Sequence, residues 1–205
     1  MIPMRSVNPL AEQEARYSMT SPLLFGVLQA LDPETRIEVL ELAPATAGLL
    51  DYFSQFHSKL YLPGCRDELL ALRVNDEEDA PPLSRIFNRC IPWANSNNTL
   101  DLILLWDLPN YLDKQVLSGL ITHLAPHVTK RTVVHTYIHT RQTMPAHPGD
   151  YQLTHENNVT VDLAAAWNAS SPMYYQELIN KVFAPFRVQR GMLLANGLQE
   201  YILRT

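Results

Sequence analysis

Two acids that close apolar runs, and a group of histidines and tyrosines, are the side chains best placed for chemistry. Asp107 follows "LDLILLW" directly. A carboxylate at the end of a buried strand can act as a general base or orient an amine. In the competing reading, 107–111 opens a helix capped by Asp113, with Trp106 in the core. Glu41 stands inside "RIEVLEL", just before the small-residue stretch Ala43-Pro44-Ala45-Thr46-Ala47. A lone strand-end carboxylate there serves equally well to cap backbone amides. His135, Tyr137 and His139 alternate, so on a strand they share one face. Four residues along a strand separate His135 from His139 by roughly 13 Å, too far to share one zinc directly. His139, His147 and His155 are spaced along a long loop and could meet in space, but no metal site is expected. There is no G-x-S-x-G nucleophile signature, and neither Cys65 nor Cys90 lies in a C-x-x-C pair.

The bulk properties fit one globular domain of 205 residues, 46% hydrophobic and 18% charged. The net charge of −5 and the longest basic run, Lys130-Arg131, give no sign of a nucleic-acid or anionic-membrane partner. No apolar stretch nears the roughly 20 residues of a membrane helix. The N-terminus lacks the basic-then-apolar order of a signal peptide. Two reduced thiols in a cytoplasmic protein are therefore expected.

These residues are positioned by alternating strands and helices. Residues 1–19 read as a polar arm and 20–205 as one domain. "TSPLLFGVLQAL" is a helix with Pro22 at its first position. "RIEVLEL" is a strand, "AGLLDYFSQF" a helix with Leu49, Leu50, Phe53 and Phe56 on one side, "KLYLPG" a strand and "RDELLALRV" a helix. "NDEEDAPP" reads as a solvated loop and "RIFNRCIPW" as a weak third strand. Leu100 to Trp106 is a continuous apolar run, as in a strand covered on both faces. "DKQVLSGLITHLAPHV" follows as an amphipathic helix and "KRTVVHTYIHT" as a β-branched strand. Residues 141–171 are polar and turn-rich, with one helical piece near "VDLAAAW". "SPMYYQELINKVFAPF" reads as a helix capped by Ser171, and Asn196-Gly197 marks a terminal hairpin. The fold class expected is α/β: a Rossmann-like, doubly wound, mostly parallel sheet with helices on both faces and a C-terminal antiparallel hairpin.

In this order of elements the chain resembles the class I S-adenosylmethionine-dependent methyltransferase family over roughly residues 20–205. The resemblance rests on "VLELAPATAGLL", on "LDLILLWDLPNYLD" with its helix, on the following β-branched strand and on the long terminal hairpin. It implies S-adenosylmethionine as cofactor if the chain is active, held near Glu41, Ala43, Pro44, Ala45, Ala47 and Trp106. Trp106-Asp107-Leu108-Pro109-Asn110-Tyr111 loosely resembles the Asp/Asn-Pro-Pro-Tyr motif of amine-methylating relatives. That likeness implies catalytic roles for Asp107, Asn110 and Tyr111. The segment 141–171, with His147, Tyr151 and His155, and the nearby His139 would contact a small-molecule acceptor or a protein partner. Ala45 and Ala47 stand where the family carries glycines. After "KLYL" there is no acid to clamp the ribose; Asp67 and Glu68 read as the first turn of the next helix, and Asn88 and Asn95 are the polar candidates near an adenine. The expectation is a methyltransferase-like protein with a degenerate cofactor site, non-catalytic or weakly active, binding a partner or regulating one. The alternative is an active methyltransferase acting on a small molecule or protein side chain. A homodimer is compatible with either. A nicotinamide-binding dehydrogenase is disfavoured by the missing G-x-G-x-x-G and by the terminal hairpin. Doubly wound sheets bind ligands beyond the carboxyl ends of their strands, here the loops after residues 42, 62, 91, 106 and 139.

Overall fold

A computed structural model describes residues 16–72, 83–91, 98–154, 156–163 and 167–205. The apolar runs form a six-stranded sheet. Its strands are β2 (Ile37–Glu41), β3 (Ser58–Tyr61), β4 (Leu100–Trp106), β5 (Val128–His139), β10 (Arg187–Leu193) and β11 (Leu198–Arg204). The spatial order is β10-β11-β5-β4-β2-β3. β2, β3, β4 and β5 run parallel, while β11 pairs antiparallel with β5 and β10 antiparallel with β11. This is the expected class, a Rossmann-like, class I methyltransferase-like sheet with an antiparallel hairpin at one edge. The order reverses between β2 and β4, so their carboxyl ends, at Glu41 and Trp106, flank the switch point.

Both faces of the sheet are covered. Ile103, Leu105, Val134 and Ile138 pack on one face with α3 (Arg66–Ala71), α4 (Leu83–Cys90), α5 (Lys114–Leu124) and α6 (Gln176–Val182). Leu102, Leu104, Trp106, Val133 and Tyr137 pack on the other with α1 (Pro22–Leu28) and α2 (Ala47–Phe53). The alternation of 102, 104 and 106 against 103 and 105 is the period-two signature of a strand buried on both faces. α5 buries Val116, Leu117, Leu120, Ile121 and Leu124, the stripe its sequence spacing predicts.

Four local expectations are corrected. "RIFNRC" lies in α4, not in a third strand; Phe87 and Cys90 are buried with Leu83 and Ile86 packed beside them, a helical spacing. The "VDLAAAW" stretch starts in a strand: Val159 and Val161 are buried between polar Asn158, Thr160 and Asp162 in β8 (Asn158–Asp162). Ser171 does not cap α6, which starts at Gln176; Met173 adopts a φ of 50° and takes the chain out of helical geometry first. Leu50 is 47% exposed, and Tyr52 is buried on α2 with Leu49 and Phe53 instead. "NDEEDAPP", Asn95 and His155 lie outside the described residues.

The region 141–171 and the expected arm meet. β1 (Arg16–Thr20), β8 and β7 (Asp150–Leu153) form an antiparallel three-stranded sheet in the order β1-β8-β7. Residues 16–19 of the arm are therefore part of a strand. β6 (Thr143–Pro145) and β9 (Trp167–Ser170) form a second small antiparallel pair.

Candidate functional site

The loop after β2 has no need of glycine. Neither Ala45 nor Ala47 has a positive φ, and both are exposed. Thr46 takes over the turn as the N-cap of α2, its side chain accepting from the Leu49 amide at 3.3 Å. The start of α2 is covered by β7. A Cβ built on Gly48 would lie 2.7 Å from the Leu153 carbonyl oxygen, and the Thr46 hydroxyl donates to the Tyr151 carbonyl at 3.4 Å. Gly48 thus serves a close approach of protein to protein.

Glu41 is fully buried and aimed across the switch point. Its Oε1 accepts from the Trp106 indole N–H at 2.7 Å, while Oε2 has no partner. Burial pushes its carboxyl up to about 8, partly opposed by the Trp106 hydrogen bond and the Arg66 charge. Trp106 has a φ of 47°, a strained conformation for a bulky residue, and its carbonyl accepts from the Thr136 hydroxyl at 2.7 Å. Its indole lies parallel to the Tyr151 ring, 4.9 Å between centroids and 2° between planes, and Tyr151 stacks in turn on Tyr137.

Asp107 is 1% exposed. Its Oδ2 accepts from the Gly149 amide at 3.2 Å and the Tyr111 hydroxyl at 3.5 Å, and lies 3.8 Å from His139 Nε2. Oδ1 has no partner. Asn110 is a clamp. Its amide nitrogen donates to the carbonyls of Asp107 and Tyr137, at 2.7 and 2.9 Å, and its oxygen accepts from the His139 amide at 2.9 Å. With both ends bonded to backbone, Asn110 holds the 107–111 turn against β5. Tyr111 is held protonated by burial first and by Asp107 next.

The structure therefore brings Glu41, Trp106, Asp107, Asn110, Tyr111, His139 and Tyr151 to one edge. His139 packs edge-on against Trp167, 5.7 Å between ring centroids. Pro44, Ala45, Ala47 and His147 face solvent, Ala43 is half-buried, and Asn88 is exposed on α4. Sequence reasoning missed Arg66, Gly149 and Asp150. Arg66 follows β3 where a ribose acid is expected, and its Nη1 donates to Asp150 Oδ1 at 2.6 Å. The cavity left between Leu42, Ala43, Arg66, Trp106, Asp107 and Gly149 is about 10 Å³. That is room for roughly one water.

A second buried network lies deeper. Glu200 accepts from the Ser21 hydroxyl at 2.5 Å, the Leu23 and Leu24 amides at 3.1 and 2.9 Å, and pairs with His135 at 3.2 Å. The Tyr137 hydroxyl donates to Ser21 at 2.7 Å. Burial pushes the His135 imidazole down, so it is neutral near pH 7. Burial raises the Glu200 carboxyl, but its hydrogen bonds from His135, Ser21 and Leu24 outweigh that and hold it low. Glu200 is thereby a cap, fixing α1 to β11.

Strand order and the reversal between β2 and β4 define a Rossmann-like, doubly wound α/β architecture with an antiparallel hairpin at one edge. Among solved structures, the chain is similar to a S-adenosylmethionine-dependent methyltransferase from Clostridium acetobutylicum (12% identity, 89% of this chain and 88% of that one, TM-score 0.46). It is similar also to the glycopeptide N-methyltransferase MtfA complexed with S-adenosylmethionine (9% identity, 99% and 100%, TM-score 0.48). A third is the PH0226 protein from Pyrococcus horikoshii (10% identity, 89% and 87%, TM-score 0.47). No family model and no curated protein matches the sequence. Likeness of this degree concerns the fold alone; what the edge can hold is decided by its residues.

Proposed function

We propose that this chain is a methyltransferase-like protein with a degenerate S-adenosylmethionine site, acting as a non-catalytic or weakly active module that binds or regulates a partner. The observation that supports it is the closed edge. Among the described residues, the cavity lined by Leu42, Arg66, Trp106 and Gly149 at the ends of β2 and β4 holds about 10 Å³, against the roughly 300–1,000 Å³ of small-molecule sites. The residues present do not fit the cofactor in this arrangement: Gly48 lies against Leu153, and Arg66 stands where a ribose acid is expected. One oxygen of Asp107, Oδ2, is already engaged by the Gly149 amide and the Tyr111 hydroxyl. A cytoplasmic setting and a protein partner belong to this proposal; among the described residues no helix is long and apolar enough to cross a membrane.

One observation favours the second reading, an active methyltransferase. Glu41 Oε2, Asp107 Oδ1 and His139 Nε2 are all buried without partners, and such atoms are normally satisfied by water or ligand. Calorimetric titration with S-adenosylmethionine and S-adenosylhomocysteine separates the two. Micromolar binding sinks the degenerate-site reading; no heat up to millimolar concentration sinks the active one.

A further inference from the structure

α1 is too short for the face it lies on. At 1.5 Å per residue its seven residues span roughly 10 Å. β11, also of seven residues, spans roughly 23 Å. The helix starts beside Glu200, whose carboxylate holds the Leu23 and Leu24 amides, and cannot cover the strand to its end at Arg204. There, at the end of the sheet opposite Glu41 and Trp106, a cleft of about 580 Å³ opens among the described residues. That is within the roughly 300–1,000 Å³ of small-molecule sites. It shares no lining residue with the small cavity under Trp106. Its floor reaches the core: Leu102, Val133 and Ile202, on three adjacent strands, line it and are buried. On the α1 side it is open at Gly26, where an added Cβ would meet nothing within 4 Å.

Positive charge gathers at one rim of this cleft. Arg190 stands directly opposite Ile202 across the β10–β11 pair, and Arg204 lies two residues beyond Ile202 on β11. Opposed residues, and residues two apart on a strand, share a face. Both arginines therefore rise on the Ile202 side, over the cleft they line. Arg131, from β5, completes the rim. Arg131 is offset by Asp101 at 3.3 Å, and the second oxygen of Asp101 accepts from the Glu38 amide at 3.0 Å. Arg204 donates to neutral acceptors, Gln189 Oε1 at 2.9 Å and the Arg131 carbonyl at 3.3 Å. These bonds fix its guanidinium without neutralising it. The Arg190 guanidinium makes no ion pair or side-chain hydrogen bond among the described residues. The other acid of the lining, Asp32, accepts within its own loop from the Thr35 hydroxyl and the Glu34 amide. That loop leads into β2, three strand spacings or roughly 14 Å from β11.

Two guanidiniums without a counter-charge thus stand over an apolar floor, in a chain whose net charge is −5. The guanidinium fork matches the oxygens of phosphate or carboxylate in pairs. A lone carboxylate would leave one of the two charges unmatched, whereas a phosphate monoester carries both. We propose that this cleft binds a small organic phosphate monoester with an apolar body. Its phosphate lies between Arg190 and Arg204, and its body rests on Leu102, Val133 and Ile202. The proposal goes beyond the reading of the cofactor edge and does not depend on it.

The test is a 1H–15N NMR titration of the full chain with 1-naphthyl phosphate at about pH 7.5, where a phosphate monoester is mostly doubly charged. 1-Naphthol, 1-naphthoate and inorganic phosphate are the controls for body, charge and headgroup. Naphthyl phosphate should shift the amides of Val27, Arg190 and Ile202 saturably and bind at least roughly tenfold tighter than each control. Arg190→Gln should weaken it by roughly tenfold, the worth of a hydrogen bond to a charged group. Gly26→Leu, which puts a side chain into the open wall, should abolish binding. Both positions are exposed, so both variants keep the fold. A control that binds as tightly, shifts centred elsewhere, unchanged affinity in either variant, or no saturation by about 10 mM overturns the proposal. Stronger binding to phosphatidic-acid vesicles than to naphthyl phosphate assigns the phosphate to a lipid headgroup and overturns the small-molecule source.

Discussion

Glu41 is a buried carboxyl group that accepts from the Trp106 indole. Its folded value of about 8 lies above the ordinary 4.5, so the folded state disfavours the charged form. The associated stability is complete below about pH 4.5 and is lost as pH rises towards 8. Glu41→Gln keeps an oxygen for the Trp106 indole and removes the titration. The stability difference between wild type and Glu41→Gln should therefore shift in the variant's favour by on the order of 4 kcal/mol from pH 4.5 to pH 8. Urea unfolding of both proteins across that range measures it. The slope of the difference is the readout, since the offset includes the new amide nitrogen. A flat difference would show that Glu41 is ionised in the folded protein at neutral pH, with Trp106 and Arg66 outweighing its burial.

At the scale of elements, the loop after β2 and the cover over it make separable predictions. Ala45 and Ala47 already sit in conformations any residue adopts, one before and one inside a properly capped helix. The double variant Ala45→Gly/Ala47→Gly should lose about 0.5–1 kcal/mol per site through unfolded-chain entropy and helix propensity. On the proposed reading it should gain no affinity for S-adenosylmethionine, because Thr46 and Gly48 at the start of α2 lie against β7 whatever stands at 45 and 47. Tight binding by that variant with none in the parent would locate the obstacle in the loop. α1 gives a third expectation. Glu200→Ala should cost about 3–5 kcal/mol by leaving the start of α1, Ser21 and His135 without their buried acceptor. Because the Glu200 carboxyl is held low, its contribution is present above the ordinary value of 4.5 and lost as pH falls below it. The variant's acid unfolding should be correspondingly less steep. What could be read in the sequence divides along the same lines. β4, α5 and the Asn196-Gly197 hairpin were legible because long periodic runs and turn chemistry are local signals. α4 was not, because Ile86 and Phe87 look like strand residues until Leu83 and Cys90 complete a helical stripe. Glu41 and Asp107 fall at the edge their strands imply. The packing beside them does not, since it rests on Tyr151 stacked against Trp106 and on a contact between Arg66 and Asp150, 84 residues apart.

In the whole molecule, residues 16–20 and the 150–162 region meet in one small sheet over the start of α2. Residues 16–20 pair with β8, and β8 pairs with β7, so the strand that covers α2 is anchored by the beginning of the chain. Remove β1 and what remains of this cover is a β7–β8 hairpin, an arrangement only marginally stable by itself in water. The hairpin retains Tyr151 against Trp106 and the Arg66–Asp150 contact, which is partly exposed and worth about 1 kcal/mol or less. Deletion of residues 1–20 should therefore loosen the cover ahead of the main sheet. Amide hydrogen exchange is expected to quicken across 150–162 while β2, β4 and β5 keep their protection. If the cover is also what excludes the cofactor, the truncated protein should bind S-adenosylmethionine more tightly than the parent in the same calorimetric titration. Uniform loss of protection throughout the sheet would mean that β1 belongs to the core and is no removable anchor. Faster exchange in the cover without any gain in binding would place the obstacle in the missing ribose acid rather than in the cover, and would strengthen the reading of a site that no longer serves the cofactor.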